Sequence, residues 1–171
     1  MCLIIHKPPG ARIAKDLLRA AAVHNADGWG LMGFEPNGRS FVHKDPVVSL
    51  EVLLDLERKY RDAEYALHLR LRTRGSNGEE NLHPFRVLDG VFLMHNGTLD
   101  LPARVPGRSD TWHFVYDVLR PLATRHPGLL SDHGFARVLE FGLRAENKLV
   151  LMDRRLRRLL VINRAHRAEL D

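Results

Sequence analysis

Met1-Cys2-Leu3-Ile4-Ile5 opens the chain, with the protein's only cysteine directly behind the initiator methionine. A small second residue is what methionine-removing enzymes accept, so the mature chain can begin at Cys2. That residue would then carry both a thiol and a free α-amine. The amine's reference pKa of about 7.7–8.0 leaves a useful fraction unprotonated at neutral pH. Such an amine can take the thiol's proton, which is one established way to activate a nucleophile. Leu3-Ile4-Ile5 reads as a buried strand that would hold the terminus rigid. The plainer alternative is a small strand residue on a frayed end behind an uncleaved Met1.

Outward from this stretch, strands and helices come in blocks. Lys7-Pro8-Pro9-Gly10 breaks the first strand. Ile13, Leu17, Leu18 and Ala21 then recur at helical spacing between Ala11 and His24. The loop His24 to Gly30 leads into Leu31–Phe34, and the turn Glu35-Pro36-Asn37-Gly38 returns the chain as a hairpin. Ser49 can cap a helix running to about Tyr60. Tyr65 to Leu71 alternates, with Ala66, His68 and Arg70 on one side and Leu67, Leu69 and Leu71 on the other. A long polar loop, Arg72 to Pro84, has the length and composition of functional loops. Phe85–Leu88 and Val91–His95 form a tight hairpin about Asp89-Gly90, and it ends at Asn96-Gly97-Thr98. A helix from Ser109 or Asp110 to about Arg125 follows, with Phe114, Val115, Val118 and Leu122 as its core stripe. A shorter helix spans Ser131 to Gly142, and Leu149–Met152 with Leu159–Ile162 makes a last hairpin. This order argues for an α+β protein with antiparallel sheets.

The 171 residues fit one domain, 1–171, large enough to bury a substantial core. Hydrophobic content of 44% and charged content of 27% are ordinary for a globular protein. No apolar run approaches the roughly 20 residues of a membrane helix, and no secretory signal opens the chain. One cysteine excludes an internal disulfide framework and a cysteine-rich zinc site, and it points to a reducing, cytoplasmic setting. The ten histidines show no metal-ligand spacing, and no phosphate-binding glycine-rich loop occurs, so neither metal nor cofactor is expected. The net charge is +5. Arg154, Arg155, Arg157, Arg158, Arg164 and Arg167 form a basic cluster, read as a solvated face or as a docking surface for an acidic partner. No DNA- or RNA-binding motif accompanies it, so nucleic acid is not expected as a partner.

Six pieces of the chain, in order, resemble the class II glutamine amidotransferases. They are Met1-Cys2, Asp27-Gly28-Trp29-Gly30, His68-Leu69-Arg70-Leu71-Arg72-Thr73-Arg74-Gly75, Asn81-Leu82-His83-Pro84, His95-Asn96-Gly97 and Ser109-Asp110-Thr111. The phrases Asp27-Gly28-Trp29-Gly30, Lys44-Asp45-Pro46, His83-Pro84-Phe85 and His95-Asn96-Gly97 look most like the small stand-alone branch. The motifs occupy residues 2–115. The resemblance implies the N-terminal-nucleophile (Ntn) hydrolase fold, a four-layer αββα sandwich of two antiparallel sheets between helical layers. Two positions depart from members fused to synthetases: Leu71 and Arg74 stand where those carry an aromatic and a histidine. A chain of this length also leaves a synthetase that consumes ammonia to be a separate protein.

By this resemblance Cys2 would attack the side-chain amide carbon of glutamine, and the resulting thioester would be hydrolysed. Asn96 and Gly97 would donate hydrogen bonds to the oxyanion; an Asn-Gly pair is also the favoured hairpin turn. Arg70 would grip the α-carboxylate with its planar fork, or make a structural ion pair. Asp110 would take the α-ammonium group, cap a helix, or do both. Thr73 and His83 match positions lining the glutamine pocket, and His83 is equally a satisfied structural histidine. Asp27, Gly28 and Gly30 would shape a close turn near the nucleophile. Three functions follow: a cysteine amidohydrolase acting on glutamine and passing ammonia to a partner enzyme, the same chemistry on another γ-glutamyl amide, or a non-catalytic module that keeps the fold and binds a partner. Retention of Met1 would favour the last.

Overall fold

Period-two alternation of apolar residues produces two antiparallel sheets, each with one face against helices and the other against its neighbour. The computed structural model describes residues 2–72, 75–76 and 78–164. The first sheet holds β1 (Leu3–Lys7), β2 (Trp29–Phe34), β3 (Ser40–Asp45) and β4 (Glu64–Leu69), in the order β1-β4-β2-β3. The second holds β5 (Phe85–Leu88), β6 (Val91–Asn96), β7 (Lys148–Asp153) and β8 (Arg158–Ile162), in sequence order. Helices α1 (Lys15–His24) and α2 (Leu50–Lys59) cover the first sheet. Helices α3 (Asp110–His113), α4 (Arg120–Arg125) and α5 (His133–Gly142) belong to the layer over the second.

The faces follow residue parity. Leu31, Leu67 and Leu69 pack under α1 and α2 with Leu18 and Leu53. Met32, Phe34, Ala66, Met94, Val150 and Met152 meet between the sheets. Leu93, Leu149 and Leu151 pack with Val115, Leu119 and Ala136 on the other side. The result is the αββα sandwich expected from the resemblance, an α+β architecture. Because Ile4, Ala66 and Met94 lie in the inter-sheet layer, alternation carries Cys2, His68 and Asn96 to that same layer. No helix among the described residues is long and apolar enough to cross a membrane.

Some details differ from the sequence expectation. The helix beginning at Ser109 is not uniform: Phe114–Leu119 is π-helical, and the Arg120 N–H reaches back to the Val115 carbonyl. Pro121 has no N–H to donate, and the ladder widens over the preceding turn. The extra residue in that turn shifts the buried stripe to Val115, Leu119 and Ala123, and leaves Leu122 36% exposed. Strand β4 stops at Leu69, so Leu71 lies beyond the ladder and is exposed. Helix α1 begins at Lys15 rather than Ala11. A short 3-10 turn, Leu129–Ser131, precedes α5, which Asp132 caps by accepting the Phe135 N–H.

Lys7 is the largest departure from a simple apolar core. It is 2% exposed, and its ammonium donates to the carbonyls of Tyr60 (3.4 Å), Arg61 (2.8 Å) and Ala63 (2.9 Å) at the end of α2. It thereby satisfies carbonyls of the turn that follows α2, and it lies 4.8 Å from the centre of the Tyr65 ring. Burial pushes its pKa below the ordinary lysine value. Lys7→Met keeps the stem and removes the donors; the Tyr60 and Arg61 carbonyls keep the Ala63 N–H and an Arg12 guanidinium N–H, while the Ala63 carbonyl loses its ammonium partner. Urea unfolding is expected to show a loss of about 2–3 kcal/mol; a loss below about 0.5 kcal/mol would mean water replaces the ammonium without cost.

Candidate active site

The pairing of β1 with β4 sets Leu3 opposite Leu69, so Cys2 and Arg70 leave the ladder side by side. The Cys2 thiol donates to the Leu71 carbonyl at 3.5 Å. Burial raises the thiol pKa; the Leu71 hydrogen bond and the Arg70 charge oppose that rise, and the Asp110 carboxylate adds to it. Cys2 therefore sits within electrostatic reach of both a guanidinium and a carboxylate, and the neutral thiol is favoured over the thiolate.

Arg70 is 4% exposed. Its N–H donates to the Gly28 carbonyl at 2.8 Å, and its carbonyl accepts from the Asp27 N–H at 3.0 Å. Its Nη2 donates to the Ser76 carbonyl at 2.9 Å. Asp27 receives the Arg72 N–H at 2.8 Å through Oδ2. The Asp27–Gly30 turn thus grips the end of β4 from both sides. Gly28 has φ +121, and a Cβ there would lie 2.4 Å from Leu82 Cδ2. A Cβ on Gly30 would lie 1.8 Å from the His83 carbonyl oxygen. Both glycines are required by close approach of the 82–84 segment, which contains a cis His83–Pro84 bond.

His83 is buried rather than open to solvent. Its ring lies against that of His68, tilted by 31° at a centroid distance of 4.0 Å, and meets Phe85 edge-on at 4.8 Å. Both ring nitrogens of His83 and Nε2 of His68 lack hydrogen-bond partners among the described residues. Burial depresses both pKa values, His68 to about 3 and His83 well below its usual value, and each imidazole disfavours protonation of its neighbour or is disfavoured by it. The His68 ring also bonds the main chain of His95.

His95 carries the Asn96-Gly97 pair at the end of β6. Its Nε2–H donates to Asn147 Oδ1 at 2.9 Å, which leaves Nδ1 to accept from the Thr111 hydroxyl at 2.8 Å. Asn147 is itself held by Asn163, whose Nδ2 donates to the Asn147 carbonyl at 2.8 Å. Gly97 has φ +135, and a Cβ there would lie 2.3 Å from Asn147 Oδ1. Asn147 thus packs against the glycine and fixes the histidine before it. Asn96 Oδ1 is buried without a hydrogen-bond partner among the described residues.

Ser109, not Asp110, caps α3, accepting the Trp112 N–H at 3.1 Å. Asp110 holds the Leu99 N–H at 2.7 Å and the Thr111 N–H at 2.8 Å. It also lines a cleft of about 290 Å³ with Gly75, Leu101, Ala103, Val105, Pro106, Gly107 and Arg108.

Cys2, Arg70 and Asp110 are therefore electrostatically linked, Asp27, Gly28 and Gly30 brace Arg70, and Asn96 and Gly97 follow the buried histidine layer. Thr73 lies outside the described residues. Among those residues no group of His, Cys, Asp and Glu could hold a metal ion. Sequence reasoning named Asn81 and Thr111 only as members of motifs, with no role, and missed Asn147 and the His68–His83 contact. An isolated asparagine such as Asn147 carries no signal of this kind; only the folded contacts give it one.

A family profile described as glutamine amidotransferases class-II matches residues 16–146, well over half of the chain. The span contains Asp27, Arg70, His83, Asn96, Gly97 and Asp110 and begins after Cys2. No curated protein matches this chain.

The buried histidines make a pH dependence. Their native pKa values lie below the unfolded value of 6.5, so on acidification the unfolded chain takes up protons that the native state refuses. Stability is therefore complete above pH about 6.5 and falls as pH drops toward the native values, by about 1.4 kcal/mol per pH unit for each histidine. Urea unfolding at pH 7, 6 and 5 measures this slope, and His68→Gln should reduce it by one histidine's share. An unchanged slope in the variant would remove His68 from the account.

Proposed function

Because the chain belongs to the class II glutamine amidotransferases, we propose that it hydrolyses the side-chain amide of glutamine with Cys2 as the nucleophile. The observation that carries this reading is the β1–β4 register, which sets the only thiol beside Arg70, with the Asp110 carboxylate also within electrostatic reach. Glutamine has a carboxylate and an ammonium group on the same carbon, and these two residues complement it in sign.

Removal of Met1 leaves the Cys2 α-amine as base. The amine accepts the thiol proton while Sγ forms a bond to the amide carbon. This internal base matters because burial favours the neutral thiol. The tetrahedral oxyanion receives hydrogen bonds from the Asn96 side-chain amide and the Gly97 N–H. The buried Asn96 amide lacks an acceptor-side partner, and turning it about its terminal bond aims the NH2 end without breaking an existing Oδ1 contact. The protonated α-amine then gives its proton to the departing nitrogen, the C–N bond breaks, and ammonia leaves a γ-glutamyl thioester. Water, with the amine again as base, attacks the thioester and releases glutamate and free thiol. The ammonia is passed to a separate synthetase.

Intact mass of the purified protein, followed by ammonia release from glutamine, tests the reading. Expected are a chain lacking Met1 and turnover that disappears in Cys2→Ala. Loss of Met1 without glutamine turnover, but with release of the amine from another γ-glutamyl amide, would move the assignment to that substrate class. A retained Met1 with no turnover would point to the binding module.

Two further outcomes are expected. The kcat/KM for glutamine should rise between pH about 6 and 8 as the α-amine loses its proton; a flat profile would exclude the amine as base. Asn96→Ala should lower kcat by about 10²–10³, with a folded protein verified by circular dichroism.

A further inference from the structure

Arg70 and Asp110 sit on different elements, the end of β4 and the start of α3. What joins them is Asn81, which is 1% exposed. Its Nδ2 donates to the Ser76 carbonyl at 3.2 Å and the Gly107 carbonyl at 2.8 Å, with Ser76 Oγ also 3.2 Å away. Its Oδ1 accepts the Ser109 N–H at 2.8 Å. Ser76 is the residue whose carbonyl receives Arg70 Nη2, and its N–H donates to the Gly107 carbonyl at 2.9 Å. Ser109 caps the helix that begins with Asp110. A continuous path therefore runs from Arg70 through Ser76, Asn81 and Ser109 to Asp110. Gly75, which lines the same cleft as Asp110, packs on Asn81: a Cβ there would lie 3.0 Å from Nδ2.

We propose that Asn81 is a positioning residue that fixes the separation of Arg70 and Asp110, and so makes the site selective for an L-amino-acid head group. This rests on the head-group reading of those two charges. A side-chain amide is the group that suits the place, because one buried position both donates to two carbonyls and accepts one N–H. Aspartate offers no donor, and alanine strands the Ser109 N–H and takes one of two donors from each carbonyl. Recognition of one enantiomer depends on where the ammonium and carboxylate sites stand relative to the side-chain path, so a shift in their spacing alters stereoselectivity as well as affinity.

The test is calorimetric binding of L-glutamate and D-glutamate to the full chain, with iodoacetamide alkylation of Cys2 as a control that needs no head group. The wild-type protein is expected to prefer the L-form. Asn81→Ala should weaken L-glutamate by about tenfold or more, the effect of losing buried hydrogen bonds, and bring the L-to-D ratio toward one while alkylation is unchanged. If Asn81→Ala does not fold, Asn81→Asp keeps the Ser109 bond, loses the donors and should show the same collapse of the ratio. Weaker binding with the L-to-D ratio preserved, or binding and alkylation lost in parallel, would overturn the proposal, as would no stereoselectivity in the wild type. A wild type that binds L-glutamate selectively yet releases no ammonia from glutamine would overturn the hydrolytic reading and leave this one standing.

Discussion

The antiparallel pairing of β1 with β4 is the constraint on which the site depends. It places the chain's only cysteine next to an arginine that would otherwise be sixty-eight positions away in sequence. Ladder hydrogen bonds set this register, and a one-residue slip would turn Cys2 toward the helices and Leu3 toward the other sheet. The register is held by burial on both faces of β4. Leu67 and Leu69 pack under α1 and α2, and Ala66 packs between the sheets. Lys7, at the far end of β1, ties the same strand to the end of α2.

Beyond the ladder, polar groups take over the role of apolar packing. The turn at Asp27 and Gly28 bonds the main chain of Arg70, and the Arg70 side chain bonds the loop at Ser76. On the facing sheet, Asn147 fixes His95 and fills the space beside Gly97. Such buried polar contacts are costly to leave unmade, so each one narrows the conformations open to the loop it holds. The glycines act in the same direction: Gly28, Gly30 and Gly97 admit backbone or side-chain atoms where a Cβ would collide. Close approach and polar pairing together make irregular segments behave as rigid supports.

The charge arrangement follows from this support. The guanidinium of Arg70 and the carboxylate of Asp110 both act on the half-buried thiol, and each is anchored by its own main-chain partners. The neighbouring imidazoles are kept neutral by burial, so the layer beneath the site adds no positive charge near neutral pH. That leaves the fixed charges as the ones a ligand meets.

The sequence by itself determined the element types, the antiparallel pattern and, through six short motifs in order, the family to which the chain belongs. These were legible because alternation has a fixed period and because the family's motifs set particular residue types in a fixed order. Alternation even placed His68 and Arg70 on one side of β4, the side that turned out to be the inter-sheet layer. Tertiary structure alone decided the rest. The π-helical turn before Pro121 moved the buried stripe to Leu119 and Ala123, because an added residue per turn changes phase without changing local propensity. Tertiary structure also decided that His83 packs against His68, that Ser109 caps α3 in place of Asp110, and that Asn81 and Asn147 hold loops distant in sequence. A hydrogen bond between residues far apart leaves no period in the chain, and it exists only after the sheets have stacked.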